Sequence, residues 1–370
     1  MSIDQAWRPP VRAEFADLEP YGAPQLDVPV ALNVNENPFP PPPEVVAQIA
    51  EGVRAAAGQL NRYPDREARA LRAALAGYLN RLAGGAAAVD LGADDVWVAN
   101  GSNEVMQHIL QAFGGPGRVM LTFPPTYSMY PEYARATHTR LVEVARGAAP
   151  GFGLEPEFAA AAVAAAAPDV VVLASPNNPT GTAASVALIE ALLAAAPGLV
   201  VVDEAYAEFA RDGGGGALRL LSEYPNLVIT RTMSKAFALA GARVGYAAAH
   251  PRVIDALRVV RLPYHVSSVT QATAQAALVH SDALLADVEV LRIERDTMVA
   301  WLRDRGLMVA DSDANFALFG VFADRHEVWQ GLLDRGVLIR ETGPAGWLRV
   351  SIGTPAENDA FRTALEEVLA

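Results

Sequence analysis

Lys235 is the only lysine in a chain of 370 residues that carries 28 arginines. A GC-rich coding background accounts for arginine and alanine displacing lysine in general. The survivor sits in Thr232-Met233-Ser234-Lys235, and it has a chemical use that arginine lacks. A lysine amine can lose its proton and condense with a carbonyl, whereas a guanidinium stays charged. If Schiff-base chemistry runs through a lysine here, Lys235 is the sole candidate. Three other polar clusters follow apolar runs: Asn100-Gly101-Ser102-Asn103-Glu104, Ser175-Pro176-Asn177-Asn178-Pro179-Thr180-Gly181 and Asp203-Glu204-Ala205-Tyr206. Each also has a plain reading by itself, as a helix N-cap with its box, a turn, and a strand-end cap. Four of them, in this order and around the only lysine, point to one shared site.

The elements that must position these clusters read as alternating strands and helices. Short apolar runs at 95–99, 118–123, 170–174, 199–202, 227–230 and 245–249 predict strands, and 104–113 predicts a helix. Another helix is expected from about Glu44, after the proline run Pro38 to Pro43. Continuous Val/Leu/Ala runs without alternation predict a sheet buried on both faces, hence α/β with mostly parallel strands. In such a sheet ligands bind beyond the carboxyl ends of the strands, where all four clusters fall. After about Arg252 a long helical stretch leads to runs at 316–322 and 347–352, read as strands of a smaller α+β unit. Asp212-Gly213-Gly214-Gly215-Gly216 reads as a solvent loop, since it lacks the strand–helix setting of a phosphate cradle. The first thirty residues are proline-rich and aperiodic and read as an arm.

Apolar residues make up 52% of the chain and charged ones 19%, so a large core is expected and global disorder is excluded. The net charge of −13 argues against nucleic-acid or anionic-membrane partners. The absence of cysteine removes disulfides, thiolate metal sites and cysteine nucleophiles, and a cytoplasmic setting is expected. Met1 to Pro10 has no apolar core of a signal peptide, and 158–174 is broken by Pro168 and Asp169, so it reads as helix then strand and not as a membrane span. The six histidines show no metal-ligand spacing, and no metal is expected. His265 and Trp97, Trp301, Trp329 and Trp347 read as packing residues.

Taken together, these segments resemble the fold-type I pyridoxal 5′-phosphate (PLP) aminotransferases of class I/II, and among them the histidinol-phosphate branch of actinobacterial type. The resemblance runs over nearly the whole chain. It includes 20–26, Leu32-Asn33-Val34-Asn35-Glu36-Asn37-Pro38, Arg62-Tyr63-Pro64-Asp65, the three clusters above, 231–243, and Leu348-Arg349-Val350-Ser351-Ile352-Gly353. It implies a large domain with a mostly parallel seven-stranded sheet between helices, plus a smaller α+β domain. The implied division is an arm at 1–30, a small domain from 31–49 and 256–370, and a large PLP-binding domain at 50–255.

By the same resemblance, Lys235 would carry the cofactor and move the substrate proton. Asp203 would pair with the pyridine nitrogen, while Asn178 and Tyr206 would bond the ring's 3-oxygen. Tyr127 would stack on the ring. Ser102 and Asn103 amides with Thr232, Ser234 and Arg243 would hold the phosphate. Tyr63 would reach that phosphate from a partner subunit, which implies a homodimer with shared sites.

For the substrate, Arg349 occupies the position that grips a carboxylate in this class. Arg340 matches a second arginine that helps bind a phosphate in the histidinol-phosphate branch; alone, it could equally be a surface ion-pair residue. Tyr21 of the arm and Tyr264 of the partner would close over the phosphate. Asn35 and Glu36 either read the imidazole or hold the loop. The implied reaction exchanges an amino group between histidinol phosphate and 2-oxoglutarate, giving imidazole-acetol phosphate and glutamate. An aromatic amino-acid aminotransferase and, further off, a same-fold decarboxylase or a PLP-binding regulator share these segments.

Overall fold

The structure is a computed structural model and describes residues 10–20, 22–84 and 89–370. After a short 3-10 turn at Ala13–Phe15 come the strand β1 (Val30–Ala31) and the helices α1 (Pro43–Ala57) and α2 (Arg69–Leu82). Proline at the first position of α1 fixes a helical φ where no backbone donor is needed. A seven-stranded sheet follows, built from β2 (Val96–Ala99), β3 (Val119–Thr122), β4 (Arg140–Glu143), β5 (Val170–Ala174), β6 (Leu199–Asp203), β7 (Leu227–Thr232) and β8 (Gly245–Ala249). Its order is β2-β8-β7-β6-β5-β3-β4. All strands run parallel except β8, which is antiparallel to both β2 and β7.

The valine-rich strands are apolar on both sides because both faces are covered. Val170, Val172 and Val201 join a core with α3 (Ser102–Phe113), α4 (Tyr130–Ala136) and α7 (Pro251–Val260). Val171, Leu173, Val200 and Val202 belong to a second core with α5 (Pro156–Ala166) and α6 (Val186–Ala195). The alternation that divides them is the two-residue period of a strand.

The remaining chain forms a smaller unit. α8 (Ser268–Val279) packs on α1 and leads into the long α9 (Ser281–Asp304). A three-stranded antiparallel sheet places β10 (Phe316–Gly320) between β9 (Met308–Val309) and β12 (Leu348–Ser351). β1 pairs in parallel with β11 (Val337–Leu338), which joins the start of the chain to this unit. α10 (Arg325–Asp334) and α11 (Pro355–Leu369) cover it.

The predicted strands lie within a few residues of those observed, with three differences. β4 gives no apolar run because it is the sheet edge, with Arg140 and Glu143 exposed. The helical stretch after Arg252 is three helices. The tetraglycine loop is not wholly solvated: Gly214 is buried, and its carbonyl accepts from Arg231 Nη2. Trp97 and Trp347 are core residues, whereas Trp301 and Trp329 are only half-buried. Among the described residues no helix is long and apolar enough to cross a membrane, and no acidic or histidine cluster could hold a metal.

Candidate active site

A cavity of about 290 Å³ lies beyond the carboxyl ends of β2, β5, β6 and β7, and residues of the 33–35 loop and β12 complete its wall. All four polar clusters meet there, because each is the segment that follows a parallel strand.

The reversed strand β8 creates the anion-binding end. Its first residue, Gly245, pairs with both Ala99 and Thr232, so the ends of β2 and β7 are drawn to one place. A Cβ on Gly245 would lie 2.1 Å from Ser102 N, so only glycine lets the start of α3 come this close. Gly101 caps α3 at φ 89° with no side-chain cap, while the Glu104 carboxylate turns back to Asn100 N at 2.5 Å. The first amides of α3 thus present positive dipole to the cavity. Opposite them, Thr232 Oγ1 donates to Ser234 Oγ at 3.0 Å, and Arg243 Nη1 donates to the same oxygen at 3.2 Å. Arg243 holds a left-handed φ of 54°, a strained conformation for a side chain of its size. Helix amides, hydroxyls and a guanidinium fork form a cup matched to a phosphate.

Asp203, the last residue of β6, forms the floor. Its carboxylate accepts from Tyr130 at 2.8 Å and from Thr230 at 3.2 Å. Burial raises its pKa, and the two hydroxyls with the Ala205 amide pull against that shift. Lys235 enters from the loop after β7 and donates to Val34 O at 2.8 Å. Burial first and Arg349 next lower its pKa to about 8; Glu36 pulls the other way, and Arg243 adds a lesser push down. Glu36 itself is exposed and does not line the cavity.

The opposite wall is a hydrogen-bonded lattice. Asn35, 1% exposed and at φ 56°, donates to Tyr206 Oη at 3.0 Å and accepts from Ser351 Oγ at 2.8 Å. The Tyr206 ring packs edge-on against Phe316. Arg349 donates to Asn178 Oδ1 at 2.5 Å and to Asn33 O at 2.9 Å. Arg340 lines the same cavity and donates to Gly22 O at 3.1 Å, and no carboxylate pairs with it among the described residues. Tyr127 stands beside Asn103, with 3.5 Å from its hydroxyl to Asn103 Oδ1.

Tyr63 and Tyr264 are not brought into this cavity. They stack on each other at 4.4 Å on the surface, with Tyr63 80% exposed. Tyr21 lies outside the described residues. His265 packs against Trp97 and His108 as expected. The sequence reading did not single out Tyr130, Thr230, Asn33 or Thr342. Thr230 stands in register with Asp203 on the adjacent strand, and Tyr130 opens the helix that follows Tyr127; no motif marks either residue.

The residues present fit PLP: a glycine-gated phosphate cup, a buried carboxylate that meets the cavity with only hydroxyl and amide donors, and a single amine of depressed pKa. Comparison with known proteins agrees with that fit. The family "Aminotransferase class I and II" matches residues 28–365. A histidinol-phosphate aminotransferase of Thermobifida fusca is 59% identical over 96% of this chain and 94% of its own. Histidinol-phosphate aminotransferase 3 of Burkholderia lata is 58% identical over 98% of this chain and 96% of its own. Among solved structures, the histidinol-phosphate aminotransferase of Sinorhizobium meliloti in complex with pyridoxal-5′-phosphate superposes with a TM-score of 0.80. It is 29% identical and covers 92% of this chain and 91% of that one.

Proposed function

The chain belongs to the class I and II aminotransferases, and on that premise we propose that it moves the amino group of L-histidinol phosphate to 2-oxoglutarate, yielding imidazole-acetol phosphate and glutamate, with PLP as cofactor. The observation that carries the substrate reading is the convergence of Arg340 and Arg349 on one cavity with Lys235. One guanidinium suffices for a carboxylate, while two match a phosphate dianion. The relatives named histidinol-phosphate aminotransferase support the same reading.

Bound PLP supplies an electron sink for the charge left when the substrate carbon loses its proton. The chain's residues do the rest. Ser102, Asn103, Thr232, Ser234 and Arg243 hold the cofactor phosphate, and Tyr127 packs on its ring. Asp203, whose hydroxyl donors favour its charged form against burial, would hold the proton on the ring nitrogen. Asn178 and Tyr206 orient the ring's 3-oxygen, with Tyr206 itself fixed by Asn35. Lys235 would tether the cofactor and, as a free amine with its pKa lowered to about 8, would take and return the proton at the reacting carbon. Arg349 and Arg340 bind the substrate phosphate, and Arg349 receives the carboxylate of glutamate in the other half-reaction.

Tyr63, Tyr264 and Tyr21 act on the cofactor and substrate phosphates, the first two from the partner of a homodimer. Tyr63 and Tyr264 stack on each other and do not line their own chain's cavity, which supports a role for these two in the partner's site. The arm is assigned to 1–30, the small domain to 31–49 and 256–370, and the large domain to 50–255, in a cytoplasmic enzyme.

The test is a half-reaction. The PLP form is mixed with histidinol phosphate or with phenylalanine, without keto acid, and the cofactor absorbance is followed. Faster conversion by histidinol phosphate supports the proposal. A preference for phenylalanine assigns the chain to aromatic substrates, and conversion by neither rejects transamination of both.

A further inference from the structure

Tyr130 is fully buried at the start of α4, and its hydroxyl donates to Asp203 Oδ2 at 2.8 Å. The same ring meets Tyr127 edge-on, with centroids 5.6 Å apart and planes at 90°. One side chain therefore touches both the carboxylate assigned to the cofactor nitrogen and the ring assigned to stack on it. Thr230, across the β6–β7 register, donates to the other carboxylate oxygen at 3.2 Å. We propose that Tyr130 is a positioning residue that keeps Asp203 ionised and aimed into the cavity, with Thr230 as its counterpart on the second oxygen. This rests on the assignment of Asp203 to the ring nitrogen made above.

The physical argument starts from burial. A carboxylate without water favours its neutral form, and hydrogen bonds donated to the charged form oppose that. Among the described residues no arginine or lysine donates to the Asp203 side chain, so the two hydroxyls, with the Ala205 amide, carry this task. The other ionisable groups around the pair are few. Tyr127 and Tyr133 lie on the Tyr130 side, and Arg146 stands near enough to favour charge on Tyr130. Glu204, the residue after β6, is engaged with Arg231 at 2.6 Å, and Lys235 lines the same cavity as Asp203. A tyrosine with its pKa pushed well up by burial and by Asp203 remains a donor at every working pH.

The experiment uses pyridoxamine 5′-phosphate as probe, since its amine cannot form an imine with Lys235, and over the acid-to-neutral range Lys235 stays mostly protonated. Its affinity for the full-length apo chain is measured across the acid-to-neutral range for wild type, Tyr130→Phe, Thr230→Val and Thr230→Ser. Tyr130→Phe keeps the ring against Tyr127 and removes only the donor. It is expected to weaken binding about tenfold at the acid end, with the deficit shrinking as pH rises and Asp203 ionises unaided. Thr230→Val should move the profile in the same direction, and Thr230→Ser should restore it. Wild-type affinity throughout, or a loss by the same factor at every pH, overturns the inference and leaves the cofactor assignment standing. If wild type itself fails to bind the probe, the cofactor assignment falls and takes this inference with it.

Discussion

Arg340 and Arg349 form one rung of an antiparallel ladder: Arg340 N donates to Arg349 O at 3.0 Å, and Arg349 N returns the bond to Arg340 O at 2.9 Å. Residues directly opposite in such a pair send their side chains to the same face, where like charges repel. Both guanidinia line the cavity, Arg340 bonded to Gly22 O and Arg349 to Asn178 Oδ1 and Asn33 O. That repulsion is relieved when a dianion enters between them. Arg340→Ala is therefore expected to raise KM for histidinol phosphate about 10–100-fold while leaving the half-reaction with glutamate within about twofold. Equal loss with both substrates would show that Arg340 does not discriminate phosphate from carboxylate.

Lys235 yields a pH prediction. Burial disfavours its ammonium form, so the folded-state pKa lies at about 8, below that of an ordinary lysine. The neutral amine is the form that captures an aldehyde, and its fraction grows as pH rises through about 8. The rate at which the apo chain takes up PLP should rise along the same curve and then level. Arg349 is the largest charged contributor to the lowering. Arg349→Met should thus move the midpoint to higher pH; an unmoved midpoint would show that Arg349 does not contribute to the shift. Lys235→Ala should abolish turnover, since no second lysine exists to replace it.

Gly245 tests the anion cup. An alanine methyl there would fall 2.1 Å from both Gly101 C and Ser102 N, backbone atoms that cannot rotate away. The start of α3 must then separate from β8. Gly245→Ala should lower stability by about 2–3 kcal/mol, read as a fall in the urea midpoint, and weaken PLP binding more than binding of pyridoxal, which lacks the phosphate. Equal weakening of both would argue against a phosphate at this end.

These cases also mark what a reader of the chain can and cannot see. β5 and β6 are legible because a strand buried on both faces must be apolar at every position. β4 is not, because an edge strand keeps Arg140 and Glu143 in water. Lys235 and Asp203 are legible by chemical type and by their place after parallel strands. Tyr130 and Thr230 are not, since an aromatic beside a proline-rich turn and a threonine in a strand are ordinary until register brings both to Asp203. The Arg340–Arg349 rung joins two segments whose pairing no local pattern encodes. Gly214 looked solvated because nothing nearby in sequence reports that Arg231, buried between Glu204 and Glu208, reaches its carbonyl.

The buried trio itself is expected to be fragile. Arg231 is 0% exposed and bonds Glu204 at 2.6 Å and Glu208 at 3.4 Å, with Tyr78 donating to Glu208 at 3.3 Å. Removing the cation leaves two carboxylates without their partner in a dry interior. Arg231→Met should cost about 3–5 kcal/mol, measured by urea unfolding. Further replacing both glutamates by glutamine should recover part of that loss. No recovery would mean that Arg231 acts mainly through the Gly214 loop.

Shared sites make the sharpest prediction. If Tyr63 serves the partner's phosphate cup, a dimer of one Tyr63→Ala chain and one Lys235→Ala chain contains one intact site, formed by Lys235 of the first and Tyr63 of the second. Its other site lacks both groups. In an equal co-expressed mixture about one quarter of all sites would be intact by random pairing. Tyr63→Ala alone keeps the lysine and retains weak turnover, and Lys235→Ala alone has none. Adding the dead chain to the weak one should therefore raise activity per Tyr63→Ala chain. If each chain built its site from its own residues, dilution with the dead chain would leave that activity unchanged. A rise against no change separates exchange between subunits from a surface role for the Tyr63–Tyr264 stack.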